Sequence, residues 1–138
     1  MKETKFGKCA VNVVNIIIKD SQKISESKIK SIWLKEMQKL TNSKDSIKKC
    51  CPRLALTGLI LNNQTKITSK EINSFQSKNH DYVQFILENH LKVKSPLMKT
   101  DKLIFWEIIQ NEFANAPKNQ NGQLDVLIAL HKHELLRF

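Results

Sequence analysis

Cys51 stands in the run Lys48-Lys49-Cys50-Cys51-Pro52-Arg53, at the expected N-cap of an apolar helix. A thiol at a helix N-terminus beside cations has its thiolate stabilised, which makes Cys51 a candidate nucleophile or redox sensor. A nucleophile also wants a partner base, and no His lies close in sequence. The competing reading is that Cys50 and Cys51 are small buried residues, the usual fate of free thiols. The same turn has a second chemistry. Free N–H groups at a helix start, less the one Pro52 lacks, with Lys48, Lys49 and Arg53 make a phosphate-binding spot. A solvated basic loop is the alternative.

A second polar group, Asn121, Gln123 and Asp125, opens the expected last helix. Asn121 and Asp125 are four apart and share a face, whereas Gln123 points elsewhere. The set is either a ligand-binding cluster or local structure. In the structural case Asn121 caps, Asp125 meets the helix dipole and Gln123 bonds a neighbouring loop. No metal site is expected: Cys50 and Cys51 are adjacent, no Cys-x-x-Cys occurs, and His131 and His133 project to different sides of a helix. Nor is there a phosphate-cradling Gly loop, a Ser-His-Asp set in recognisable context or an acidic cluster, so no cofactor is implied. Glu134 beside His133 reads as a solvent-facing pair.

These residues must be held by helices. The spacing predicts one from Thr4 to Lys19, with Phe6, Cys9, Ala10, Val13, Ile16 and Ile17 on one face and a polar stripe opposite. Ser25 caps a second, to Leu40, with Ile29, Ile32, Trp33, Met37 and Leu40 as its seam and Lys28, Lys35 and Lys39 outside. Thr41 to Ser46 reads as a polar loop. Pro52 suits a first helical position, and the helix to Leu61 is apolar nearly all round, so it should be central and buried. Thr68-Ser69-Lys70-Glu71 fits a capping box. Ser77 caps a helix to His90 or Leu91, and Lys92 to Pro96 is a connector. Thr100 or Asp101 caps a helix to Phe113 around Phe105, Trp106 and Ile109. Asn121 caps the last, to about Leu136.

Composition narrows the class. A chain of 138 residues fits one domain, and 3 Gly with 3 Pro argue against a turn-rich β fold. No apolar run approaches the roughly 18–20 residues of a membrane span, and no signal peptide is expected. The 3 Cys favour free thiols in a reducing, cytoplasmic setting. The net charge is +10, and residues through Arg53 carry 13 basic against 5 acidic side chains. Such asymmetry marks a nucleic-acid or anionic-surface partner. Against that, only Arg53 and Arg137 are arginines, and Arg makes the bidentate contacts. A lysine-, isoleucine- and asparagine-rich composition also follows from an AT-rich genome.

The order of landmarks resembles an uncharacterised bacterial family of unknown function. Phe6-Gly7 and Ala10, then Trp33, match its N-terminal part. Lys49, Cys51, Pro52, Ala55, Gly58 and Leu59 match a Lys-x-Cys-Pro-x-x-Ala-x-x-Gly-Leu segment. Asn79, Tyr82 and Trp106 follow in order, and Asn121, Gln123, Asp125, Val126, Ala129 and Leu130 match the closing segment. His131 stands where the family has Trp, and Val83 where it has Ala. The resemblance implies a shared fold and carries no activity with it.

The expected architecture is a single all-α domain of about five to seven helices, residues 1–138, packed around Pro52–Leu61. The first expected function is non-enzymatic binding of a macromolecule, nucleic acid preferred, through Lys28, Lys35, Lys48, Lys49 and Arg53. A protein–protein adaptor, for example in a bacterial operon or defence-type system, is the alternative. A small enzyme or redox sensor using Cys51 is the third.

Overall fold

The computed structural model describes residues 3–20, 23–68, 75–91 and 101–137. Among them are seven helices and no strand. They are α1 (Lys5–Lys19), α2 (Glu26–Leu40), α3 (Lys44–Lys48), α4 (Cys50–Leu61), α5 (Lys78–Asn89), α6 (Asp101–Glu112) and α7 (Gln123–Lys132). The all-α class expected from the helical periodicities is the one observed.

Three helices start where a hydroxyl can accept a free N–H. The side chains of Thr4, Ser25 and Ser77 take bonds from the backbone of Gly7, Lys28 and Asn79, at 3.3, 3.1 and 3.2 Å. Helix α3 starts in the same way, Ser43 accepting from the Ser46 N–H at 3.2 Å. The Thr41–Ser46 loop is therefore shorter than expected and ends in a one-turn helix, too short to show a periodic face in sequence. The Thr68–Glu71 capping box, the Lys92–Pro96 connector and the Thr100 cap fall wholly or partly outside the described residues.

Helix α4 lies in the middle, packed by α1, α2, α5 and α7. Ala55, Leu56, Leu59 and Ile60 are fully buried. Each large one contributes about 1.5–3 kcal/mol of apolar burial. Leu54 is only half-buried, so the apolar cover is not complete. Helix α7 shares the centre: it packs on α1, α4, α5 and α6 and buries seven residues, Gln123, Leu124 and Val126 to Leu130. The expected seam of α2 holds at Ile29, Trp33 and Met37, while Ile32 and Leu40 lie at its margin.

Two glycines set how closely helices cross. A Cβ at Gly58 would fall 2.3 Å from His80 Cγ and 2.4 Å from His80 Cβ, so α5 crosses α4 on the glycine itself. A Cβ at Gly7 would lie 2.9 Å from Ala129 Cβ and 3.0 Å from the Asp125 carbonyl oxygen, which brings α1 against α7. The last helix ends at Lys132 and not near Leu136. Glu134 turns the chain at φ 57°, and Leu136 pairs antiparallel with Thr65. Backbone bonds from Lys66 to Leu135 (2.8 Å) and from Arg137 to Gln64 (3.0 Å) flank that bridge. The apolar pair Leu135-Leu136 extends a helical pattern in sequence, but its burial comes from this β-like contact.

Candidate functional site at the meeting of α4 and α7

Helix α4 begins at Cys50, so its N-cap is Lys49 and not Cys51. Pro52 is its third residue and not its first. That position still belongs to the first turn, where an N–H has no intrahelical partner and Pro loses nothing. Lys49 caps with its backbone alone and makes no side-chain cap bond. The start of α7 is also different from expectation. Its N-cap is Gly122, left-handed at φ 96°, and Asn121 lies one residue outside. Glycine takes that backbone without steric penalty. It also makes room: a Cβ there would stand 3.0 Å from Pro52 Cβ and 3.0 Å from Phe6 Cδ2. Two helix starts without side-chain caps therefore meet over the Phe6 ring.

Cations collect around that ring. The Lys49 ammonium lies 5.5 Å from the Phe6 centroid and the Lys5 ammonium 5.6 Å, each within cation–π reach. Sequence separation had hidden Lys5 from this group. Lys5, Lys48, Lys49 and Arg53 make no ion pair among the described residues. Other lysines do: Lys28 with Asp20 (2.9 Å), Lys39 with Glu36 (2.8 Å) and Lys102 with Asp125 (2.6 Å). Lys28, one of the expected contacts, is thus matched locally, whereas Lys35 is exposed and unmatched on α2.

The polar trio of α7 divides by burial. Gln123 is buried at 1% exposure and links two segments. Its Oε1 accepts the Asn121 N–H at 2.6 Å, and its Nε2 donates to Asn79 Oδ1 at 2.9 Å. It therefore ties the start of α5 to the start of α7. The sequence reading has Gln123 bonding a neighbouring loop; its side-chain partner is instead Asn79 in the first turn of α5, 44 residues away. Asp125 sits in the first turn of α7, where the dipole favours a carboxylate. Besides Lys102, it accepts from Gln120 Nε2 at 3.3 Å, while Gln120 Oε1 accepts the Gly122 N–H at 2.8 Å. Asn121 caps nothing with its side chain.

Cys51 is half-buried, and its thiol is raised. Burial is the larger cause, followed by repulsion from and hydrogen bonding with the Cys50 thiol; Lys49 and Lys78 pull in the opposite direction and do not win. The helix start and its cations thus leave the thiol protonated near neutral pH, which counts against a ready nucleophile. Cys9 is more extreme: burial pushes its thiol up, and its Sγ meets the Trp33 carbonyl at 3.6 Å. Among the described residues no group of three His, Cys, Asp or Glu side chains is placed to hold a metal ion. His133 bonds Glu3 at 2.5 Å and does not pair with Glu134.

Most positions that carry the family resemblance are buried: Phe6, Gly7, Ala10, Trp33, Pro52, Ala55, Gly58, Asn79, Tyr82, Trp106, Gln123 and Ala129 among them. Those left partly open are Lys49, Cys51, Asn121 and Asp125. All four stand at this one corner. The model of the family described as "Family of unknown function (DUF6979)" matches residues 3–137. The chain belongs to that family. No curated protein and no solved structure matches it. Among the described residues no helix is long and apolar enough to cross a membrane.

Proposed function

We propose that this DUF6979 chain is a non-catalytic cytoplasmic protein that binds a polyanionic macromolecule, nucleic acid preferred. The binding surface is the corner where α4 meets α7. The observation that carries the reading is the unmatched cation group Lys5, Lys48, Lys49 and Arg53. It lies beside two helix starts that lack side-chain caps, while Lys28, Lys39 and Lys102 are matched by carboxylates. Phosphate oxygens are the natural partners of such a surface, because lysine point charges and helix-start N–H groups both favour anions. Lysine in place of arginine suits contact with the backbone over reading of bases.

The experiment is retention of a short duplex and a single strand as salt is raised. About four phosphate contacts give a log–log slope of about −3 to −4, or about a hundredfold loss between about 50 and 200 mM salt. Changing Lys48, Lys49 and Arg53 to Gln should lower that slope by about 3. Adding Lys28→Gln, whose charge Asp20 already meets, should change little. A slope near zero, or equal binding by the triple variant, would reject the reading.

A protein–protein docking role is the second reading. Leu103 and Ile104, neighbours on α6, are 71% and 43% exposed. Large apolar side chains left in water next to each other are what a partner helix or groove would cover. Pull-down that is insensitive to salt and abolished by Leu103→Ser with Ile104→Ser would favour it.

A further inference from the structure

The cationic corner leaves one surface pattern unexplained. The large apolar side chains exposed among the described residues lie on two helices: Ile16 (38%) and Ile18 (48%) on α1, Leu103 and Ile104 on α6. We propose that these two faces bind each other between two copies of the chain. Helix α1 of each protomer lies on α6 of its partner in a twofold dimer, which builds on the docking reading of α6 and names its partner.

The two faces carry opposite charge. Helix α1 has Lys5, Lys8 and Lys19 and no acidic residue. On α6, Asp101 is buried and Lys102 is taken by Asp125 of α7, which leaves Glu107 and Glu112 as the exposed charges. Neither glutamate makes an ion pair among the described residues, in a chain of net charge +10, and Lys19 makes none either. The layouts correspond. Glu107 stands one turn beyond Leu103 and Ile104; Lys19 stands one turn beyond Ile16 and next to Ile18.

Within one chain the two faces do not meet, because α1 and α6 both pack on α7 and make no contact with each other. Pairing of like faces is disfavoured: α1 on α1 sets lysines against lysines, and α6 on α6 sets carboxylates against carboxylates. Helix α1 on α6 puts each charge near its complement. A twofold axis makes that contact twice, so both copies cover both faces and neither is left to extend a filament. Apolar burial supplies the affinity, and the charges set the orientation. Phe6 lies toward the other end of α1, about 15 Å from Ile16 at about 1.5 Å per residue, so the dimer leaves the cationic corner open and presents two of them.

The test is sedimentation equilibrium of the full chain over a range of concentrations, without nucleic acid. The mass should rise from 16.0 kDa toward twice that value. Glu107→Lys alone and Lys19→Glu alone should each weaken association by at least about tenfold, and the two together on one chain should restore it. Leu103→Ser with Ile104→Ser, and separately Ile16→Ser with Ile18→Ser, should each leave a monomer. All six side chains are exposed, so the variants keep the fold, which circular dichroism checks. A monomer at every concentration up to about 1 mM would overturn the proposal. So would loss with the α6 serine pair but not the α1 pair, no rescue by the double charge reversal, or growth past a dimer. A monomer that still captures another protein through Leu103 and Ile104 would overturn the self-pairing and leave the docking reading of α6 standing.

Discussion

Replacing Gly58 with Ala sets two effects of known sign against each other. In a free helix the change is favourable by about 1 kcal/mol, because Ala restricts the unfolded chain and Gly does not. Here the new methyl would sit 2.3 Å from His80 Cγ, 2.4 Å from its Cβ and 2.6 Å from its Cδ2. The obstacle is the root of a side chain, not its flexible end. His80 is itself buried at 3% exposure and held by Gln64 Oε1 at 2.6 Å. Rotation cannot remove Cβ, so α5 must move off α4 by about an ångström, at the upper end of overpacking costs, about 3 kcal/mol. The net is a loss of about 2 kcal/mol. For a chain of 138 residues, at about 3 °C per kcal/mol, Tm should fall by about 6 °C. Thermal unfolding followed by circular dichroism measures this. Adding His80→Ala should make the Gly58→Ala change far less harmful, a coupling that a double-mutant cycle reads directly. A Tm that rises with Gly58→Ala would show that helix propensity wins and that α4 and α5 do not cross on this residue.

Gln123→Leu should cost about 1–3 kcal/mol, because it leaves buried Asn79 and the part-buried Asn121 N–H unpartnered; a shift of the urea midpoint checks it, and an unchanged midpoint would refute the link between α5 and α7. Burial lowers the His80 pKa, so the native state holds it neutral while the unfolded chain takes up a proton; stability is then full above its ordinary pKa and falls as pH drops toward the folded value. The urea midpoint should accordingly be lower at about pH 5.5 than at about pH 7.5, with His131, also lowered by burial, adding to the same trend. Iodoacetamide near neutral pH should label exposed Cys50 first, half-buried Cys51 more slowly and Cys9 only on unfolding. Faster labelling of Cys51 than of Cys50, read by peptide mass, would restore the nucleophile reading.

Much of the fold was legible because its signals are local. Thr4, Ser25 and Ser77 each cap within three residues, and the stripes at Ile29-Trp33-Met37 and Phe105-Trp106-Ile109 need only periodicity. The misplacements occur where a local rule has two solutions. Pro serves any first-turn position, so Pro52 could not fix the start of α4. Asn121 looks like a cap, but Gly122 supplies the left-handed backbone and the space that Phe6 and Pro52 need. The pairing of Leu136 with Thr65, and of Gln123 with Asn79, depends on contacts between residues far apart in the chain. The candidate corner was half legible. Lys48, Lys49 and Arg53 are neighbours in sequence, whereas Lys5 joins them only because α1 brings Phe6 onto the start of α7.

The buried positions that carry the resemblance have a sufficient reason in packing: Gly7 admits Ala129, Gly58 admits His80, and Gln123 closes onto Asn79. They serve this fold and say nothing about use. Packing does not account for Lys49 in the same way. Its ammonium shares the Phe6 ring with that of Lys5, and two like charges on one ring repel. Asp125 could have relieved a nearby cation, yet both of its oxygens are taken by Lys102 and Gln120. The corner thus holds positive charge that no carboxylate among the described residues neutralises, at a place where the closing of α4 on α7 fixes its position. Mutual repulsion makes such a group unfavourable in isolation. An anion supplied from outside relieves it, and the proposed binding supplies that anion.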